Sequence, residues 1–239
     1  MPRQVLFIVN DPGATPGLLA DAFADNGFEG STFEVVPASR VDDPAFDVTF
    51  PDLTGYEVIV PLGARWPVYD PALSRAWVGT EIAAVRTAHD AGVAVLGVCF
   101  GGQLLAAALG GSVSRSPAPE LGWTDIDTDD TVLVPGGPWF QWHFDRWTLP
   151  PGATEIARNA QASQAFTLGR SLALQFHPEL DSALLAQWLA DDRDGDVARL
   201  GIDEGELITR TAGTEEDAAA RVRALVRGFI SRVDGVARR

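Results

Sequence analysis

Along the first half of the chain, short apolar runs alternate with helical stripes. Residues 4–9 form an apolar run closed by Asn10-Asp11-Pro12-Gly13, which reads as a buried strand ending in a turn. Leu18, Leu19, Ala22 and Phe23 then fall at helical spacing, and Asn26-Gly27 stops that helix. Residues 33–36 predict a second, short strand, and residues 57–62 a third that ends at Gly63. The Asp- and Pro-rich residues 37–55 between them read as loop. Residues 71–91 predict a long helix with Leu73, Trp77, Ile82 and Val85 on one face and Ala91-Gly92 at its end. Residues 93–98 are again apolar, and a small-residue helical pattern (Leu104, Leu105, Ala108, Leu109) starts just beyond them. This alternation predicts an α/β fold: a mostly parallel sheet with helices on both faces and sites at the carboxyl ends of its strands.

From Gly110 the period changes. Residues 111–114, 123–126 and 131–134 are short alternating segments, which predict a small antiparallel extension of the sheet. Residues 154–158 and 163–167 read as a hairpin around Asn159-Ala160-Gln161. Residues 171–176 predict a strand that runs into His177-Pro178-Glu179. Leu184, Leu185, Trp188 and Leu189 mark the next helix, and residues 193–211 are charged and irregular. Thr214 reads as the N-cap of a final amphipathic helix whose first turn holds Glu215, Glu216 and Asp217. The apolar face of that helix is Ala218, Val222, Leu225, Val226, Phe229 and Ile230. With no repeat or low-complexity linker, one domain over 1–239 is expected, with a core at about 4–192 and a C-terminal helical extension at about 193–239.

Composition narrows the functional classes. The net charge of −15 argues against nucleic acid, because phosphate binding needs a basic surface. No apolar run is long enough to span a membrane. The start at Met1-Pro2-Arg3 lacks the pattern of a signal peptide, so a cytoplasmic location is expected. A single cysteine excludes an internal disulfide.

That cysteine carries the candidate chemistry. Gly97-Val98-Cys99-Phe100-Gly101 has the form of a nucleophile elbow, with Cys99 at the tip between strand and helix. A nucleophile held in a strained turn needs small neighbours where backbone meets backbone. The helix that follows aims the positive end of its dipole at Cys99. His177 and Glu179 lie two residues apart on extended chain, so they point to one side and Glu179 can hold the ring of His177. Cys99, His177 and Glu179 therefore fit nucleophile, base and orienting carboxylate. The trio lacks the closely spaced Cys/His pairs of a structural zinc site, so no metal or other cofactor is expected.

Gly97-Val98-Cys99-Phe100-Gly101-Gly102-Gln103 and Gln175-Phe176-His177-Pro178-Glu179 resemble the two motifs of the class I (triad-type) glutamine amidotransferases. Glu120-Leu121-Gly122-Trp123, Trp142-His143-Phe144-Asp145 and Leu149-Pro150-Pro151-Gly152-Ala153 are similar to stretches of stand-alone members that resemble the amidotransferase half of GMP synthase. The resemblance implies a flavodoxin-like three-layer sandwich. It implies attack of Cys99 on the side-chain amide of glutamine, a thioester, and release of glutamate and ammonia. It also implies an oxyanion hole from the N–H groups of Phe100 and of Gly63, where Leu62-Gly63-Ala64-Arg65 stands in place of the usual Gly-Gly-Pro. By the same resemblance, Gln103 lines the substrate pocket, and backbone near Phe140 and Gln141 meets the α-amino and carboxylate groups. His143, flanked by Trp139, Trp142 and Trp147, reads either as a packed polar residue or as a substrate contact.

The expected partner is a separate synthetase subunit that takes up the ammonia. Two other readings keep the same residues: hydrolysis of a γ-glutamyl peptide or γ-glutamyl amine, and a non-catalytic regulatory or binding subunit.

Overall fold

In the computed structural model the described residues are 3–236. Met1 and Pro2, part of the segment read above for a signal peptide, lie outside them, as do Ala237, Arg238 and Arg239. In chain order the strands are β1 (Arg3–Val9), β2 (Phe28–Glu34), β3 (Val58–Pro61), β4 (Ala94–Val98), β5 (Ser112–Thr128), β6 (Gly137–Thr148), β7 (Thr154–Arg158), β8 (Ser163–Leu168) and β9 (Ser171–Leu174). The α-helices are α1 (Gly17–Ala24), α2 (Pro71–Leu73), α3 (Gly79–Asp90), α4 (Phe100–Ala108), α5 (Ser182–Ala190), α6 (Asp196–Arg199) and α7 (Glu204–Gly235). A π-helical turn, Ser74–Val78, joins α2 to α3.

The strands form one sheet in the order β2-β1-β3-β4-β9-β8-β7-β5-β6. The pairs from β2 through β9 are parallel, and those from β9 to β6 are antiparallel. The parallel half has the flavodoxin-like order, with β9 as its fifth strand. Alternate residues of β1 face opposite layers. Val5, Phe7 and Val9 join a core cluster with α1 and α7, while Leu6 and Ile8 join one with α3 and α4. A smaller cluster ties Trp123 and Phe140 to Leu184, Leu185, Leu207 and Ala218. No helix among the described residues is long and apolar enough to cross a membrane.

Several elements depart from the pattern read in the sequence. The second strand is Phe28–Glu34, not residues 33–36; it is a largely exposed edge strand, which needs no apolar run. Residues 112–114 and 123–126 belong to one long strand, β5, which Gly111 precedes, and residues 131–134 form a turn. Strand β6 has no counterpart in the hydrophobic pattern because its inward row (Gln141, His143, Asp145) is polar, while Trp142 and Phe144 face outward. The last helix starts at Glu204, capped by Asp203, whose side chain accepts from the Glu206 N–H. Thr214 lies inside it, where its hydroxyl bonds back to the Arg210 carbonyl at 2.8 Å.

The π turn shifts the buried phase of the third helical segment by one residue. Leu73 is buried before it, Trp77 and Val78 within it, and Glu81, Val85 and Ala88 after it. Ile82, expected on the inner face, is only half-buried, and Glu81 takes the inward position.

Candidate active site

Cys99 sits between β4 and α4 with φ of 50°, the one non-glycine among the described residues with positive φ. Its turn is closed by glycines for a steric reason. A Cβ on Gly97 would lie 2.5 Å from the Gly101 carbonyl oxygen, and one on Gly101 would overlap the Pro61 carbonyl. The thiol is buried, with the Trp142 carbonyl and the Gln175 amide each 3.9 Å from the sulfur.

His177 follows β9, and its backbone N–H bonds the Phe140 carbonyl of β6 at 2.8 Å. Its Nδ1 lies 2.7 Å from Glu179 Oε1. A carboxylate only accepts, so Nδ1 carries the proton and Nε2 is left facing the cavity side. Nε2 has no hydrogen bond among the described residues, and the Cys99 thiol is its electrostatic neighbour. Burial opposes a charge on this ring. The Glu179 carboxylate and Cys99 outweigh it and hold the His177 pKa well above the ordinary value. The edge of Trp188 packs on the His177 ring with centroids 4.8 Å apart, and its Nε1 donates to the Gly13 carbonyl at 2.8 Å.

Gly63 lies just beyond β3 and faces the same point. A Cβ there would meet His177 Cε1 at 3.2 Å and Cys99 Cβ at 3.9 Å. The turn after it is fixed by Asp11. That carboxylate accepts from the Arg65 backbone N–H at 3.2 Å and from Nε and Nη2 of the same residue at 2.6 and 3.0 Å. Arg65 continues to Asp191 at 2.6 Å, and these hydrogen bonds raise its pKa against burial.

Cys99, Phe100, Gly63, His177, Gln103 and His143 line one cavity of about 330 Å³. Gln103 Nε2 donates to the Asp145 carbonyl at 3.2 Å. The His143 ring is turned into the sheet: Nδ1 lies 3.0 Å from the Asp145 carbonyl oxygen, and Nε2 lies 3.1 Å from Glu120 Oε2. Glu120 also accepts from Asn159 and Gln164, so His143 belongs to a buried polar cluster behind the cavity. Phe140 and Gln141 do not line the cavity. The Phe140 carbonyl is engaged by His177, its ring packs between Trp123 and Trp188, and the Gln141 amide pairs with Gln164.

The cavity wall comes instead from Trp142, Phe144 and Asp145 further along β6, from Arg115 of β5, and from residues 191–199 after α5. Arg115 and Arg199 lie over the Phe144 ring at 4.6 and 5.1 Å. Sequence reasoning missed Asp11, Arg65 and Trp188. Asp11 stands in a turn cluster, where its type is ordinary, and Trp188 reads as a core residue of an amphipathic helix.

Comparison with known proteins places the chain in a family. The family described as "Glutamine amidotransferase class-I" matches residues 40–192. The chain belongs to the class-I glutamine amidotransferase family. Among curated relatives of this amidotransferase, the GMP synthase [glutamine-hydrolyzing] of Aeropyrum pernix is 33% identical over 156 residues, 62% of this chain and 28% of that protein. The chain thus spans a little over a quarter of that relative's length. A glutamine amidotransferase-like protein, chyE, from Penicillium rubens is 30% identical over 199 residues, 74% of this chain and 80% of that one. A glutamine amidotransferase of Thermotoga maritima has the same fold, with a TM-score of 0.81 at 22% identity, over 96% of this chain and 99% of that one. One from Methylobacillus flagellatus gives 0.82 at 22% identity, over 100% and 97%.

Proposed function

We propose that this amidotransferase hydrolyses the side-chain amide of glutamine to glutamate and ammonia, and that the ammonia passes to a separate acceptor enzyme of the synthetase class. One observation carries the reading. Cys99, in its strained turn, stands beside an imidazole whose Nδ1 is held by Glu179 at 2.7 Å and whose Nε2 has no other partner among the described residues. The sulfur attacks the amide carbon, and the thiol proton goes to His177 Nε2. The amide oxygen becomes an oxyanion that accepts from the N–H groups of Gly63 and Phe100. As the C–N bond breaks, His177 returns the proton to the leaving nitrogen and ammonia departs. Water then attacks the thioester, giving its proton to His177, and the C–S bond breaks to release glutamate. Gln103 and the cavity-facing backbone near His143 are the proposed substrate contacts on this side of the cavity.

The test is ammonia release from glutamine by the wild type and by Cys99→Ala, His177→Ala and Glu179→Ala. Turnover is expected to vanish in the first and to fall less in Glu179→Ala than in His177→Ala, because Glu179 orients the base without moving the proton. Equal turnover by Cys99→Ala and wild type would end this reading. The breadth of the cavity, which runs from the thiol to residues 191–199, favours one second reading: a γ-glutamyl peptide or amine as substrate. Relative kcat/KM on glutamine and on γ-glutamyl dipeptides separates the two. Labelling of Cys99 by an alkylating glutamine analogue without turnover on either substrate would instead mark a binding subunit.

A further inference from the structure

A carboxyl group lies in the apolar layer between the sheet and α3, away from the catalytic trio. Glu81 is completely buried, and no backbone group or charged side chain among the described residues bonds either of its oxygens. The polar group that faces it is the side-chain amide of Asn10, itself completely buried at the end of β1. Asn10 Nδ2 donates to the Leu62 carbonyl at 3.2 Å, and Asn10 Oδ1 has no other partner. Burying such groups is costly, and an apolar pair of similar size would pack there at lower cost.

The geometry beyond Asn10 gives the pair a role. In a trans peptide the C=O of one residue and the N–H of the next point in opposite directions. No cis peptide bond occurs among the described residues. The Leu62 carbonyl is drawn toward buried Asn10, so the Gly63 N–H is turned the other way. Gly63 borders the cavity together with Cys99 and Phe100. The next residue beside Asn10, Asp11, holds the far side of the same turn through the Arg65 N–H. We propose that Asn10 and Glu81 are positioning residues that fix the plane of the Leu62–Gly63 peptide and aim the Gly63 N–H at the oxyanion site beside Cys99. This rests on the proposed acyl-transfer reading for what the N–H does, but not for where it points. Burial raises Glu81 from the ordinary 4.5 to about 8 and outweighs the Asn10 side chain, which acts to lower it; in its protonated form Glu81 has an O–H to offer Asn10 Oδ1.

The test uses Glu81→Leu, Glu81→Gln and Asn10→Ala in the full chain. Crystal structures of Glu81→Leu and Asn10→Ala are expected to have the Leu62–Gly63 peptide rotated or in two orientations, and that of Glu81→Gln to keep it as in the wild type. With glutamine, kcat of Glu81→Leu is expected to fall roughly ten- to a hundredfold, with KM within about twofold, since loss of a whole oxyanion donor costs roughly 10²–10³. Glu81→Gln is expected to stay within about threefold of the wild type. Alkylation of Cys99 by iodoacetamide, which forms no oxyanion, should stay within about twofold in all three, and the thermal midpoint of Glu81→Leu should not fall. An unmoved peptide in both Glu81→Leu and Asn10→Ala overturns the proposal. So does a parallel loss of kcat and iodoacetamide reactivity, which would mark a purely structural role. A peptide that rotates in an enzyme whose wild type cleaves neither glutamine nor a γ-glutamyl peptide upholds the positioning and removes the hydrolytic reading.

Discussion

Cys99 holds a backbone conformation that costs an ordinary residue on the order of 1–3 kcal/mol, and the contacts around Gly97 and Gly101 keep it there. Cys99→Gly is therefore expected to be at least as stable as Cys99→Ala, the reverse of the usual order, when both are compared by denaturant unfolding. Glu81 gives a second prediction at this scale. Its folded-state pKa of about 8 exceeds the ordinary 4.5, so between these values the folded protein holds a proton that the unfolded chain releases. Stability then falls as pH rises through that window. Glu81→Gln has no such proton, so its thermal midpoint relative to the wild type should rise from pH 5 to pH 8. A pH-independent difference would remove Glu81 as the source. The residues of the trio were legible because glycines bracket Cys99 and because His177 and Glu179 share a side of one strand end. Asn10 and Glu81 were not. An Asn after an apolar run reads as a turn residue, and a helical Glu reads as solvated.

At the scale of elements, legibility followed burial. The parallel strands β1, β3 and β4 are buried on both faces and appear as apolar runs. Edge strand β2 and strand β6 break that rule in opposite ways, one by being exposed and the other by turning polar residues inward. Residues of both rows, Trp142 and Phe144 as well as His143 and Asp145, border the cavity. The sequence pattern puts the start of α7 eleven residues late because Thr214 and its acidic neighbours imitate a capped first turn. The actual cap, Asp203, precedes a stretch whose only buried residues before Thr214 are Leu207 and Thr211. Thr211 is held inside by the Trp123 indole, which donates to its hydroxyl at 2.8 Å.

On the scale of the whole molecule, the apolar face of α7 completes the core layer that also contains Cys99. Val222, Leu225, Val226, Phe229, Ile230 and Val233 join the cluster of β1, β3 and β4. Phe229→Ala, a fully buried truncation, is expected to cost about 3–5 kcal/mol in denaturant unfolding. A cost below about 1 kcal/mol would mean that α7 only leans on the core. A mostly parallel sheet with two covered faces could be read from the chain because alternation of period is a global signal, whereas the flavodoxin-like order followed only from the family resemblance. The depth of the π turn could not, since it changes no residue type. Gly79 sits at its seam, where a Cβ would stand 2.5 Å from the Ser74 carbonyl oxygen that its N–H bonds. Loss of one codon just after Gly79, with the wide turn kept, would rotate all that follows by about 100°. Composition and hydrophobicity would be almost unchanged, yet Glu81 would leave Asn10 and the Leu62 carbonyl would lose its anchor. In inheritance, alignment at the thiol depends on a count of residues as well as on their kinds.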